Sequence, residues 1–173
     1  MSNIRRIRSS SATALDLVDR TILARLQRNA RVTNVEIARE LGMAPSAILE
    51  RIRKLEHRGV IQGYTARLNP QAVGLGLTAF VLVRSSEPVG SGSVGTSLAK
   101  VPEVQEVHHV AGEDCYLLKV RVADPEDLSR VLRERFGRLK GVRSTRSTIV
   151  LTTVKESTEL PIPAEPARRR RGA

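Results

Sequence analysis

The residues of this chain with the most evident chemistry are four basic side chains in one short stretch. They recur at helical spacing and are Arg51, Arg53, Lys54 and Arg58. Cations arranged in this way neutralise nucleic-acid phosphates and release condensed counterions. The 173-residue chain carries 29 Lys and Arg against 18 Asp and Glu, a formal net charge of +11 at pH 7. This balance indicates a polyanionic partner, and nucleic acid fits it better than a membrane surface.

Two short helices must position these charges. Thr33 and Glu36 have the spacing of a capping box that begins a helix, and Gly42 is suited to ending it with positive φ. Pro45 suits the first position of a second helix that continues to His57. The apolar faces comprise Ile37, Ala38 and Leu41, then Ile48, Ile52 and Leu55. This order predicts a helix-turn-helix whose recognition helix is residues 45–57. The alternative is a helical hairpin whose charges only solvate one face.

Two sets of side chains are predicted to contact duplex DNA. The base-edge set follows Pro45 and comprises Ser46, Ala47, Leu49 and Glu50. The phosphate set comprises Arg31, Thr33, Asn34, Arg51, Arg53 and Lys54. Glu50 has the chemistry to accept from a cytosine amino group, or it pairs instead with Arg53 or Lys54. For Arg51 the alternative is a structural ion pair.

Composition and periodicity divide the chain into five segments. Both ends are basic and poor in apolar residues, which predicts disorder. The C-terminal arginine run 168–171 either contacts phosphates or only keeps the chain in solution. The segments are a disordered basic arm (1–14), a three-helix, winged-helix-like helix-turn-helix domain (15–59), an extended linker (60–76), a ferredoxin-like domain for effector binding and oligomerisation (77–155) and a disordered basic tail (156–173). The first helix of the helix-turn-helix domain is predicted to begin at Leu15 and to support the other two.

The periodicity of the second domain alternates between strand and helix. Predicted strands are 78–83, 104–110, 115–122 and 142–154, with helices around Val94–Val101 and Leu128–Phe136. The order β-α-β-β-α-β is that of the ferredoxin-like fold, so the whole chain is expected to be α+β. Both helices cover the same face of its antiparallel sheet. Because the other face needs a cover and no further helix is predicted, we expect a homodimer.

The turn of the central hairpin is a candidate small-molecule site. Gly112, Glu113 and Asp114 put mobile backbone and two carboxylates near one point, which suits an ammonium group. Alternatively, Gly112 is simply a hairpin glycine and the acids are solvated.

Other kinds of chemistry have little support in this sequence. Aromatic residues make up 2 % of the chain and Trp is absent, which argues against base-stacking RNA modules. His108 and His109 alternate faces on a strand, and the single Cys115 has no zinc-finger spacing. No phosphate-binding loop, nucleophile elbow or dinucleotide motif appears. We therefore expect no metal, no cofactor, no catalysis and, with neither a signal core nor a spanning segment, a cytoplasmic location.

The order of these elements resembles the Lrp/AsnC family of transcriptional regulators over about residues 15–155. The stretches that carry the resemblance are LDLVDRTIL, MAPSAILERIRKLEHRGVIQGY, VAGEDCYLLKV and LKGVRSTRSTIVLTTVK. Two positions depart from the family pattern: Ala44 replaces a capping Ser, and Cys115 replaces an Asp before the hairpin Tyr, with Asp114 one residue earlier.

The resemblance implies a DNA-binding regulator that forms dimers, and in some members tetramers or often octamers, through its C-terminal sheet. It also implies an amino acid or related effector bound between C-terminal domains. Ser147 and Thr148 would then supply hydroxyls from the neighbouring chain. Sirohaem decarboxylases are similar in architecture, so the alternative function is an enzyme that uses His108, His109 and Tyr116 for acid-base work.

Overall fold

The computed structural model describes residues 15–88, 91–112 and 115–162. These residues divide into two compact units. The first, called the head here, comprises the described residues up to Ala66 together with 156–162, and the second, the sheet domain, comprises the described part of 67–155. The division between the two units falls inside the predicted linker. The predicted basic arm (1–14) lies outside the described residues, and so does the tail from residue 163.

Three helices form the head, with the bounds α1 Leu17–Arg28, α2 Asn34–Leu41 and α3 Pro45–His57. The Asp16 side chain caps α1 by accepting from the Asp19 backbone N–H at 2.7 Å. Both hydrogen bonds of the predicted Thr33–Glu36 capping box are present at the start of α2. Gly42 ends α2 with φ 62° and ψ 33°, a left-handed conformation that is strained for residues with a Cβ. The predicted helix-turn-helix is confirmed.

The core of the head is aliphatic. Ile22 and Ile48 are fully buried, and the cluster comprises Ile22, Leu23, Ile37, Ala38, Ile48, Ile52 and Leu55. α1 therefore supports the other two helices, and the apolar face of α3 is fixed against them. At about 25 cal/mol per Å² of apolar surface, burying each of these larger side chains stabilises the head by roughly 1.5–3 kcal/mol.

Residues 156–162 differ from the predicted disordered tail. They have no regular secondary structure, but they lie on the head, where Leu160 forms two hydrogen bonds with the Gln27 side chain. Ile162 is half-buried against the core of the head. Composition alone predicts disorder because the stabilising partner lies 133 residues away in sequence.

The sheet domain has a four-stranded antiparallel sheet in the order β2-β3-β1-β4. Its elements are β1 Leu77–Ser85, α4 Ser93–Leu98, β2 Val104–His109, β3 Tyr116–Val122, α5 Pro125–Val131 and β4 Val142–Ile149. A π-helical turn, Leu132–Phe136, continues α5, and a short 3-10 helix, Gln71–Val73, precedes β1. The order of elements confirms the predicted ferredoxin-like α+β fold.

One predicted strand is too long. β4 ends at Ile149 rather than at Val154, and Leu151 and Val154 are almost fully exposed. The last hydrogen bond to the neighbouring strand joins the Val150 N–H to the Thr78 carbonyl. β1 begins at Leu77, one residue before Thr78. The Thr- and Val-rich continuation therefore has no strand to pair with.

The two faces of the sheet differ in burial. One face packs α4 and α5 over a core of Val, Leu, Ala, Tyr116 and Phe136 side chains. The opposite face carries Phe80, which is 39 % exposed, and the half-buried Leu82 and Leu117. Every residue of β4 after Val142 is exposed, so β4 has exposed side chains on both faces of the sheet. Within one chain, this outer apolar surface has no cover among the described residues.

Candidate DNA-binding and ligand-binding sites

The outer face of α3 is the candidate DNA-reading surface. Ile48, Ile52 and Leu55 fix the helix from behind, so its other side chains point away from the core. Ala47 is half-buried, and the exposed members of the predicted set are Pro45, Ser46, Leu49, Glu50, Arg53 and Lys54. The N-terminal half of α3 thus presents a hydroxyl, an apolar side chain and a carboxylate, followed by basic groups. This composition suits base edges flanked by phosphates.

Glu50 and Lys54 form an i,i+4 ion pair on this surface, with 2.6 Å between Oε1 and Nζ. The hydrogen bond from Lys54 lowers the pKa of Glu50. Of the two roles left open for Glu50, the free protein therefore shows the helical pair. Both side chains are about two-thirds exposed, so the pair is screened by solvent and contributes little to stability.

Arg51 is engaged inside the head. Its Nη1 donates to Asp16 Oδ2 at 2.6 Å and to Asp19 Oδ1 at 2.8 Å. The hydrogen bond to Asp16 is the main cause of the raised Arg51 pKa, while the Asp19 backbone N–H is the main cause of the lowered Asp16 pKa. Asp19 is buried, with 7 % exposure. Arg51 thus adopts the structural alternative and joins the start of α1 to α3.

The predicted phosphate contacts before and within the first turn of α2 are partly used for capping. The Thr33 hydroxyl donates to Glu36 Oε2 at 2.8 Å and accepts from the Glu36 N–H at 3.2 Å. Arg31 is exposed, and its backbone N–H donates to the Asn29 side chain. Asn34 is half-buried. The Thr33 side chain is therefore engaged in capping the start of α2, whereas the Arg31 side chain has no part in that cap.

A surface pocket of about 560 Å³ lies beside Gly112 in the sheet domain. Gly112 has φ 133°, a backbone conformation that favours glycine. Glu113 and Asp114, which were predicted to receive an ammonium group, lie outside the described residues. The lining residues are Leu82, Arg84, Val110, Ala111, Gly112, Ser144, Thr145 and Arg146. The pocket combines apolar walls with hydroxyls and two guanidinium groups.

Ser147 and Thr148 do not line this pocket within one chain. They pair with Val81 and Phe80 farther along the sheet, whereas the lining residue Ser144 pairs with Arg84. The hydroxyls that the chain itself places at Gly112 are those of Ser144 and Thr145. Locating them requires the register of β4 against β1, which the sequence of β4 alone does not specify.

A hydrogen-bonded cluster centred on Glu87 supports the neighbouring loop. Its carboxylate accepts from the Tyr116 hydroxyl, from Ser91 Oγ at 2.7 Å, from Ser93 Oγ at 2.9 Å and from the Val94 N–H at 3.2 Å. Desolvation raises the Glu87 pKa, but these donors outweigh it and bring the pKa down to about 2. Burial and the adjacent carboxylate raise the pKa of Tyr116 to about 12. Sequence reasoning missed this cluster, although a glutamate between serines before a helix was a signal for it.

Neither a metal centre nor a bilayer-spanning helix is found in the part of the chain that the structure describes. No three His, Cys, Asp or Glu side chains there come together around a potential ion. No described helix is both long and apolar enough to cross a membrane. His108 lies on the outer face of the sheet near Glu106, whereas His109 packs against Tyr116.

A helix-turn-helix head with an exposed basic recognition helix, followed by a separate domain with a surface pocket, is typical of ligand-responsive DNA-binding regulators. The model of the AsnC-type helix-turn-helix domain matches residues 15–56, and that of the Lrp/AsnC ligand binding domain matches residues 78–160. The chain is 42 % identical to the leucine-responsive regulatory protein of Escherichia coli K12 over 150 residues, 86 % of this chain and 92 % of that one. It therefore belongs to the Lrp/AsnC family of transcriptional regulators.

Solved structures agree with this assignment. One similar structure is a transcriptional regulator of Neisseria meningitidis in complex with L-methionine, with TM-score 0.80 and 35 % identity over 86 % of this chain and 97 % of that one. Another is a feast or famine regulatory protein of M. tuberculosis complexed with L-methionine, with TM-score 0.79 and 41 % identity over 87 % and 100 %. These matches favour a DNA-binding transcriptional regulator over the sirohaem-decarboxylase alternative.

Proposed function

We propose that this regulator reads a specific duplex sequence with the first turns of α3 and changes its DNA binding when an amino acid occupies the Gly112 pocket. The observation that supports DNA binding is the way α3 packs on the core of the head. Its apolar face is fixed by the fully buried Ile48, while Ser46, Leu49 and Glu50 are exposed. The protein would act in the cytoplasm, where bacterial DNA lies.

The proposed DNA contacts fall into two groups. Ser46, Ala47, Leu49 and Glu50 face base edges, with Pro45 opening the helix. Arg31, Thr33, Asn34, Arg53 and Lys54 face phosphates. We propose that Arg51 acts indirectly, by holding α3 against α1. This assignment is supported by its two short contacts to Asp16 and Asp19.

We propose no catalytic role for this chain. The side chains considered for acid-base catalysis form other contacts, and they lie on opposite faces of the sheet. His108 is paired with Glu106 on one face, and Tyr116 donates to Glu87 on the other. The family is one of transcriptional regulators, which supports the same conclusion.

The amino-acid half of the proposal rests on the pocket and on the two related structures that hold L-methionine. Arg84 and Arg146 bring positive charge suited to a carboxylate, and apolar Leu82 and Val110 suit a side chain. Glu113 and Asp114 follow Gly112 in the chain and are proposed to receive the ammonium group. Ser147 and Thr148 remain proposed contacts from a neighbouring chain.

A thermal-shift screen of the twenty amino acids, with L-methionine included, tests this half of the proposal. A ligand at 100 times its Kd stabilises the folded state by about 2.7 kcal/mol, which corresponds to a Tm increase of roughly 10–20 °C for a domain of this size. Asp114→Ala should abolish the shift, whereas Glu134→Ala, at an exposed position on the π-helical turn, should preserve it. A shift that survives Asp114→Ala, or no shift with any amino acid, would contradict the pocket.

We also propose that the outer face of the sheet is buried between two copies of the chain. Phe80, Leu82 and Leu117 form an apolar patch on that face. Phe80→Lys should move the protein from dimer or larger assembly towards monomer in light scattering at micromolar concentration. Val35→Lys, which places the same charge at an exposed apolar position in the head, should leave the mass unchanged. A monomeric unmodified protein would refute this assembly.

A further inference from the structure

The last described residues of the chain return to the head and are attached to it. Gln27 Nε2 donates to the Leu160 carbonyl at 3.1 Å, and the Leu160 N–H donates to Gln27 Oε1 at 2.7 Å. Ile162 packs against the core of the head. We call residues 156–162 the strap, since they belong to the head although they follow the sheet domain in the chain.

Local sequence explains why Leu160 suits this pairing. It precedes Pro161, and a residue before proline is restricted to extended conformations. In an extended residue the N–H and the carbonyl point to the same side, so one side-chain amide satisfies both groups. Glu159 Oε1 also lies 3.5 Å from Arg28 Nε, but this pair is exposed and contributes little. The amide pairing and the half-buried isoleucine therefore hold the strap in place.

The chain that leaves the recognition helix is attached to the head as well. The Leu55 carbonyl accepts from the Val60 N–H at 2.9 Å and from the Ile61 N–H at 3.2 Å. The Tyr64 hydroxyl donates to Glu56 Oε1 at 2.9 Å. Burial and this hydrogen bond raise the pKa of Tyr64 to about 12, so the hydroxyl stays a donor at neutral pH. The start of the linker is therefore fixed against the C-terminal end of α3.

Two segments of chain thus run between the head and the sheet domain. One leaves α3 and reaches β1 at Leu77, and the other leaves β4 at Ile149 and reaches the strap. The first is attached to α3 and the second to α1. Residues 150–155 of the second segment span at most about 20 Å, so it is a short tether. A head joined by one segment can turn about it, whereas a second attachment on another helix restrains that rotation.

This restraint has a consequence for the DNA sites that a dimer can read. The two recognition helices of a dimeric helix-turn-helix protein enter major grooves that lie one helical turn, about 10–10.5 base pairs, or a multiple of it apart. Heads that turn freely adapt to several separations of the half-sites. Heads that are restrained accept only the separation that matches their own geometry.

From these observations we propose that the strap determines which half-site separation the protein reads. Gln27, Leu160 and Ile162 are positioning residues, because they act through the orientation of α3 and leave its contacts with bases unchanged. The proposal rests on the sequence reading and the dimer proposed above. It adds a determinant of specificity that lies outside the recognition helix.

Two strap variants and a matched control test this proposal in the full chain. Gln27→Ala removes both hydrogen bonds at an exposed helical position where alanine favours the helix. Ile162→Ser removes the apolar contact independently. Arg25→Ala is the control, because it breaks the 2.6 Å ion pair between Arg25 and Glu40 and leaves the contacts of the strap in place.

The first measurement follows the rotation of the head by time-resolved fluorescence anisotropy. A dye is attached through Val35→Cys, at an exposed position of the head, in a chain whose single native cysteine is removed by Cys115→Ser. With the strap intact, and in the Arg25 control, the head should tumble with the whole assembly. Each strap variant should add a component that is slower than the motion of the dye and faster than that of the assembly.

The second measurement uses a duplex that the unmodified chain selects from a random library, together with a copy that has five extra base pairs between its half-sites. The insertion turns the second half-site to the opposite side of the duplex. The unmodified chain and the control should bind the longer duplex at least about 30-fold more weakly, and the strap variants less than about threefold. All four proteins should bind a single half-site with the same affinity, within about twofold.

Strap variants that keep the full discrimination between the two duplexes would overturn the proposal, and so would heads that turn no faster than in the control. If no sequence is selected, sequence reading by α3 is contradicted, and a selected sequence without two half-sites contradicts the dimeric arrangement. Either result also removes the role in half-site separation. The anisotropy decay then shows separately whether the strap restrains the head, so the failures are distinguishable.

Discussion

Replacing both Arg53 and Lys54 with glutamate should weaken duplex DNA binding by about 100-fold and reduce the slope of log K against log salt by nearly 2. Each residue is exposed on the outer face of α3, and each lost phosphate contact removes roughly 0.9 from the slope. Loss of Lys54 also leaves Glu50 without the cation 2.6 Å away, which adds repulsion at the DNA surface. Fluorescence anisotropy across a salt series measures both quantities.

A double substitution in the sheet domain serves as the control for the change in net charge. Arg138→Glu with Lys140→Glu changes the formal charge by the same amount at exposed positions of the sheet domain. This control should lose little affinity at 150 mM salt, where the Debye length is about 8 Å. Equal weakening by the two pairs would mean that overall charge, rather than the face of α3, determines binding.

Arg51→Met should destabilise the head and weaken DNA binding without changing the salt slope. The substitution leaves Asp19 buried without its cation, and breaking a fully buried pair costs about 3–5 kcal/mol. Since the Arg51 side chain is 32 % exposed, we expect about 2 kcal/mol. That corresponds to a Tm decrease of roughly 10 °C for a domain of this size, measurable by circular dichroism.

The comparison variant is Arg53→Met on the same helix. It should retain the Tm and lower the salt slope by about 0.9, the reverse of the Arg51 result. Asp19→Asn combined with Arg51→Met should recover part of the stability, because the buried group is then neutral. If Arg51→Met lowers the slope and spares the Tm, Arg51 is a phosphate contact after all.

Local signals were sufficient to predict the helix-turn-helix. Each signal that begins or ends these helices acts within one turn of the chain, so the neighbouring sequence determines its effect. The signals are the Thr33–Glu36 capping box, Gly42 at the end of α2 and Pro45 at the start of α3. The alternation of side chains along β3 likewise predicted its buried side, because successive residues of a strand point to opposite faces of the sheet. The buried residues are Tyr116, Leu118, Val120 and Val122. The fold class follows from the order of such elements.

Features that depend on distant partners could not be predicted in this way. The contact of residues 159–162 with the head requires Gln27 and Leu160 to meet across 133 residues of sequence, and the composition around Leu160 favours disorder. The end of β4 depends on where β1 begins, and the pocket lining of Ser144 to Arg146 depends on the register between those strands. Whether Arg51 faces DNA or Asp19 depends on how α1 packs on α3.

The hydrogen bond between Glu87 and Tyr116 in the sheet domain is insensitive to pH over a wide range. With pKa values of about 2 for Glu87 and about 12 for Tyr116, neither group changes its protonation between about pH 4 and pH 10. The loop that this carboxylate anchors therefore stays fastened to β3 and α4 while the acidity around the protein varies.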